Sequence, residues 1–322
     1  MATRKFRSIG AVLALLFFTG AQAQPYPNKP VRIIAPYPAG GVVDIMGRLI
    51  AERISASWGQ QVLVEPKPGA NGMIGTELVF NAPADGYTWL LASTSHVSNA
   101  ALYPDLRWDP VRDFAAAGLF ARSLNFFVVP ASLPVQSVRD YVALAKSQPG
   151  KLNYGNPGNG TPPHLAFELF KHVAGIDVQS IGYKGFPPIV PDLISGRLSA
   201  TMLSAALTIG QAKSGNLRLL AVLNEKRLKD FPDVPTLAEA GYGEAQLTSW
   251  FGILMPAKTP REIVLRVGDE IDKAVKSPEM IERLEKSGGI AAYLGPADFE
   301  ALMRREVPIW ARVIKQAGIK AQ

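Results

Sequence analysis

The chemistry-bearing residues of this chain are sparse. There are three histidines, His96, His164 and His172, and no cysteine. The lack of cysteine excludes disulfides, thiolate metal sites and a cysteine nucleophile together. His164 and His172 stand eight apart on one predicted helix, too far for shared metal ligation, so no metal site is expected. The sequence holds no G-x-S-x-G elbow, no H-E-x-x-H pair, no G-x-x-x-x-G-K-[ST] loop and no G-x-G-x-x-G turn. No catalytic residue is assigned and no cofactor is expected. Two glycine-rich loops carry the remaining signal. In VRIIAPYPAGGVVDIMGRLI (31–50) a strand pattern passes through Gly40 and Gly41 into a helix pattern with Ile45, Met46, Leu49 and Ile50 on one face. In YGNPGNGTPPHL (154–165), Gly155, Gly158 and Gly160 leave backbone accessible, and Asn156 and Asn159 offer amides. Thr161 suits an N-cap and Pro162 the first helical position. Each loop opens a helix, where unpaired N–H groups and the positive dipole end receive anions. Asp44, in the first turn of its helix, is read as a dipole partner worth about 0.3 to 1 kcal/mol. Tyr37 and Tyr183 stand at strand ends where a ring can close a pocket and a hydroxyl can donate.

Those loops need elements to hold them. Residues 1–23, MATRKFRSIGAVLALLFFTGAQA, combine three cations, a short apolar stretch and an Ala-Gln-Ala end. They read as a cleaved secretory signal peptide. Removing them leaves 31 basic and 27 acidic residues, a charge of +4 against +7 for the whole 322-residue chain. The cations are scattered, so no nucleic-acid partner is expected. With 48% hydrophobic residues the chain can bury a core without disulfides. Strand and helix signals alternate: QQVLVEP, YTWLLAS, NFFVVP, LNYGN, DVQSIGY, LSATMLS and LRLLAVL as strands, with SVRDYVALAKS as a helix capped by Ser137. Alternation predicts α/β architecture with mostly parallel sheets. The segment after residue 260 reads as helical, with no strand of comparable strength. The expected division is 24–124 plus 251–322 as one domain and 125–250 as a second, with a ligand cleft between them and hinge crossings that permit closure.

The stretches YPNKPVRIIAPYPAGGVVDIMGRLIAERI, PKPGANGMIGTELV, DGYTWLLAS, LNYGNPGNGTPPHLAFELF, YKGFPPIVPDLISGR, FPDVPTLAEAGY and SWFGILMPAKTP resemble, in order and spacing, the periplasmic solute-binding proteins of tripartite tricarboxylate transporters, the Bug family. The resemblance covers the mature chain. It implies a two-domain periplasmic binding protein fold of the Venus-flytrap kind, type II-like. It also implies no catalysis and delivery of a captured small carboxylate to a two-subunit membrane permease. A monomer in the periplasm is expected. The resemblance further implies that both glycine loops hold a ligand carboxylate through backbone N–H groups and ordered water. The ligand-binding set is then Tyr37, Ala39, Gly40, Gly41, Ser95, Asn156, Gly158, Asn159, Gly160, Thr161, His164, Tyr183, Ala200 and Ser204. Relatives often carry an acid on the strand where this chain has Ala200, which favours mono- or dicarboxylates, aromatic ones included, over amino acids. The competing reading is an exported α/β hydrolase or transferase with Ser93 or Ser95 as nucleophile.

Overall fold

The computed structural model describes residues 26–246 and 248–319, so the expected signal peptide lies outside the described residues. In chain order the elements are β1 (Val31–Ala35), α1 (Val42–Trp58), β2 (Val62–Pro66), a 3-10 turn (Ala70–Gly72), α2 (Met73–Phe80), β3 (Thr88–Ser93), α3 (Ser95–Leu102) and β4 (Phe114–Ser123). Then follow β5 (Asn125–Pro130), α4 (Val138–Ser147), β6 (Asn153–Asn156), α5 (Pro162–Ala174), β7 (Gln179–Gly182), α6 (Ile189–Ile194), β8 (Ala200–Ser204), α7 (Ala205–Lys213) and β9 (Leu217–Val222). The last segment supplies β10 (Trp250–Pro256), α8 (Arg261–Val275), α9 (Pro278–Lys286), β11 (Gly289–Leu294) and α10 (Pro296–Ala317).

The fold is a two-domain α/β arrangement built on two sheets. One has the order β11-β4-β10-β3-β1-β2 and the other β7-β6-β8-β5-β9. Both are mixed, which corrects the expectation of mostly parallel sheets. Strands β1, β2 and β3 run parallel, as do β6, β7 and β8. Strands β10, β4 and β11 add antiparallel to the first sheet, and β5 and β9 to the second. Only Leu124 separates β4 from β5, so the chain passes from one sheet to the other there; it returns between Val222 and Trp250.

Local chemistry fixes the helix starts. The Ser137 hydroxyl accepts from the Asp140 N–H at 3.1 Å and caps α4, as its position predicts. Helix α5 starts at Thr161 with two prolines, Pro162 and Pro163, in its first positions. The apolar core is continuous across the sheets. Buried Leu90, Phe114 and Val97 on one side connect through Trp250, Phe299 and Met303 to Phe127, Phe167 and Tyr154 on the other. Helix α10 supplies Phe299, Met303 and Trp310 to this bridge, and so packs on β4 and α3 on the first side and also on α5 of the second, rather than on the first alone.

Candidate functional site

The carboxyl ends of the parallel strands β1 and β3 in one sheet, and of β6 and β8 in the other, are where an open α/β sheet accepts ligands. After β1 the chain runs out through Tyr37, Ala39, Gly40 and Gly41, the last three exposed, into α1. Asp44 organises this turn: its Oδ2 accepts from the Gly40 N–H at 3.0 Å and from Arg48 Nε at 2.9 Å. Burial opposes ionisation of Asp44, but Arg48 and the Gly40 N–H outweigh it and hold the carboxyl below the usual range. The Gly41 N–H donates to Pro38 O at 3.3 Å. The two glycine N–H groups are therefore used inside the loop. Those of Ala39, Val42 and Val43 have no acceptor among the described residues.

The loop after β6 repeats the arrangement. The Gly158 N–H donates to Asn156 Oδ1 at 2.9 Å, and the Gly160 N–H to His164 Nδ1 at 3.0 Å. Thr161 donates its hydroxyl to Gly158 O at 2.7 Å and its N–H to the same carbonyl. Asn156 is buried and holds Ser180 Oγ at 2.8 Å and Asn159 Oδ1 at 3.4 Å, so it shapes the loop from behind. The prolines at 162 and 163 carry no N–H, which leaves the Asn159 and His164 N–H groups as donors without an acceptor among the described residues. Burial pushes the His164 imidazole below its ordinary pKa, and the Gly160 N–H at Nδ1 places its proton on Nε2.

The loop that starts α5 reaches the other sheet's side. Gly160 is buried with φ of +75°, and a Cβ at that position would lie 2.9 Å from Leu102 Cδ1 and 3.5 Å from Asn71 Nδ2, both on the other sheet's side. Asn71 is held by Asn99, whose Oδ1 accepts from Asn71 Nδ2 at 2.8 Å and whose Nδ2 donates to Asn71 O at 2.9 Å. Tyr37 is half-buried, and its hydroxyl pairs with Ser93 Oγ at 3.2 Å. Burial raises its pKa above the usual phenol value. Ser95 is buried at the first position of α3, beside Ser93. Asn71 and Asn99 were missed by sequence reasoning, and Ser93 entered it only as a candidate nucleophile. The only signal for Asn71 was PKPGANG, which reads as an ordinary turn.

Ser204 ends β8 and starts α7, opposite Asn125 in register. Both are buried, and Ser204 Oγ and Asn125 Oδ1 have no hydrogen-bond partner among the described residues. Two expected site residues are placed otherwise. Ala200 is fully buried at the far end of β8, opposite Tyr154 in the core, so the ligand preference argued from it loses its basis. The Tyr183 hydroxyl donates to Asp192 Oδ2 at 2.7 Å on α6; burial and that carboxylate push its pKa up to about 12. Its one proton is therefore not available to donate to a ligand.

The serine-nucleophile reading finds no support in geometry. His96 Nε2 lies 2.8 Å from Pro110 O and His164 Nδ1 serves Gly160, and no direct hydrogen bond joins either ring to Ser93 or Ser95 among the described residues. Among the described residues, no three metal-ligating side chains come together and no helix is long and apolar enough to cross a membrane.

Comparison with known proteins agrees with this architecture. Residues 46–319 match the family model described as tripartite tricarboxylate transporter family receptor. Protein BugT of Bordetella pertussis is 32% identical over 317 residues, covering 96% of this chain and 97% of its own. The R. palustris protein Rpa4515, solved with adipate, superposes with a TM-score of 0.82 at 33% identity, over 92% of this chain and 99% of its own. The periplasmic binding protein BugD gives 0.79 at 29% identity, over 92% and 100%. On the family match and these full-length likenesses, the chain belongs to the tripartite tricarboxylate transporter receptor family, whose members bind solutes and are not enzymes.

Proposed function

We propose that this receptor takes up a small carboxylate between its two sheets in the periplasm, closes on it, and delivers it to a two-subunit membrane permease. The observation that carries this reading is the seating of Gly160 against Leu102 and Asn71, which sets the loop that starts α5 against the α3 and 3-10 turn of the other sheet's side. N–H donors without an acceptor among the described residues remain at the start of α1, from Ala39, Val42 and Val43, and at the start of α5, from Asn159 and His164. Fixed neutral donors suit an anion: hydrogen bonds to a charged group contribute roughly 1.5 to 3 kcal/mol each. Three or four supply most of the roughly 8 kcal/mol of a micromolar complex before ordering costs. Ser204 and Asn125 offer further polar atoms at the strand ends. The adipate held by the R. palustris relative makes an aliphatic dicarboxylate the first candidate.

On this reading, residues 24–124 with 251–322 form one moving body and 125–250 the other, the receptor acts as a monomer, and the chain is cleaved after Ala23 on export. A thermal-shift panel of mono- and dicarboxylates, with matched diamines as controls, tests the function. A ligand at a hundredfold excess over its Kd stabilises by about 2.7 kcal/mol, or roughly 5 °C or more for a chain of this size. Adipate or a close dicarboxylate is expected to give such a shift and the diamines none. A panel in which no carboxylate raises the melting temperature would refute the proposal.

A further inference from the structure

His96 is buried at the second position of α3, and the mechanism of ligand capture makes no use of it. Its Nε2 lies 2.8 Å from Pro110 O. A carbonyl only accepts, so Nε2 carries the proton and Nδ1 presents a lone pair. A flipped ring would set a C–H against that carbonyl, so the bond fixes the ring's orientation as well as its tautomer. Nδ1 is buried and has no hydrogen-bond partner among the described residues. Beside it lies a small cavity, large enough for about one water molecule, lined by His96, Tyr37, Ser93, Thr76, Asn71 and Asn99 among others.

From the unpartnered Nδ1 and this polar, water-sized cavity, we infer that a single structural water is bound behind Tyr37, donating to His96 Nδ1. The partners that such a water needs are present. With one proton committed to Nδ1, the second is available to Ser93 Oγ or Thr76 Oγ1, and the water oxygen can accept from the Ser93 hydroxyl or the second N–H of Asn99 Nδ2. Tyr37 Oη already sits 3.2 Å from Ser93 Oγ, so the water joins the end of β3 and the back of Tyr37 to α3. Burial pushes the His96 pKa down to about 4, so the ring keeps its acceptor at neutral pH. The site is structural: the water stays when ligand enters the cleft in front of Tyr37.

High-resolution crystallography of the full mature chain, with and without adipate, together with nitrogen NMR of the histidine rings at neutral pH, tests this inference. The expected result is one ordered water within hydrogen-bond distance of His96 Nδ1 in both crystals, with the NMR showing a neutral ring protonated at Nε2 and an Nδ1 that accepts a hydrogen bond. In His96→Phe the water is expected to be lost; the NMR of the unaltered chain carries the test should that variant not fold. An empty cavity, a proton on Nδ1, or displacement of the water by adipate would each overturn the assignment. Only the displacement readout requires that adipate bind; the ligand-free crystal and the NMR test the hydration site apart from the ligand reading.

Discussion

A side chain at position 160 has nowhere to go: its first carbon would enter the space of Leu102 Cδ1 at 2.9 Å, and the backbone is left-handed there. Gly175, also left-handed at φ +61°, has nothing within 4 Å of an added Cβ, so it isolates the backbone effect. Both Gly160→Ala and Gly175→Ala should lose about 1 to 2 kcal/mol of stability from the strained backbone. Only Gly160→Ala should also weaken adipate binding, at least tenfold or about 1.4 kcal/mol. Calorimetric titration separates them, and unchanged affinity in folded Gly160→Ala would remove the loop contact from the account. His164 gives a pH signature. Its folded pKa is depressed, so the stability it contributes is complete above its unfolded value of about 6.5 and is lost as pH falls through the folded value. Asparagine can present an acceptor to the Gly160 N–H without titrating. Denaturant unfolding of His164→Asn should therefore show a shallower loss of stability below pH 6.5 than the parent chain, by up to about 1.4 kcal/mol per pH unit. Parallel slopes would show that His164 does not carry this linkage.

At the scale of elements, the helix starts were legible because their chemistry is local. Ser137 as a cap, proline after Thr161, and Asp44 in a first turn all follow from neighbours within four residues, although the Thr161 hydroxyl turns back to Gly158 O and caps no N–H of α5. The alternation of βαβ signals likewise located β1, β2 and β3. The antiparallel partners were not legible. Strand β10 inserts between β3 and β4, more than a hundred residues earlier in the chain, and nothing in SWFGILMP states that partner. Strand β11, GIAAYL, is short and half-exposed, and its alanines carry little strand preference. Helix α3, SHVSNAAL, was not read from the sequence: six of its eight residues are buried, small polar ones among them, so it lacks the polar face that marks a surface helix. The donors of the two loops were misread for a related reason: sequence marks the glycines, while the bonds that consume their N–H groups come from Asp44, Pro38, Asn156 and His164. Helix α10 ties to the returning strand through Glu306, whose Oε2 accepts from Trp250 Nε1 at 2.8 Å and Trp310 Nε1 at 3.4 Å. Burial raises the pKa of this carboxyl, so its charge costs stability as pH rises through the raised value. Glu306→Gln keeps an acceptor and sheds the charge, and should be at least as stable as the parent at pH 7. Glu306→Ala strands two indole N–H groups and should lose about 1 to 3 kcal/mol in denaturant unfolding. Equal loss in both variants would contradict this balance.

For the whole molecule, the continuous core through Trp250, Phe299 and Met303 means that the two sheets do not separate completely. On the proposed reading, opening turns about the crossing at Leu124 and the return before Trp250, and separates the loops at 37–43 and 156–164. Leu124 is pinned on both sides of that axis: its N–H donates to Gly288 O at 3.0 Å, and its carbonyl accepts from the Ala205 N–H at 2.8 Å. A crossing so fixed favours rotation of intact bodies over local unfolding. The central claim is that a carboxylate is clasped between the two loops by neutral donors from both. The crystal structure of the chain with the tightest-binding carboxylate of the panel tests it most directly. The account predicts a carboxylate group within hydrogen-bond distance of at least one N–H from residues 39–43 and one from residues 159–164, directly or through one water. A ligand held by one sheet alone, or bound outside the gap at Gly160, would contradict it.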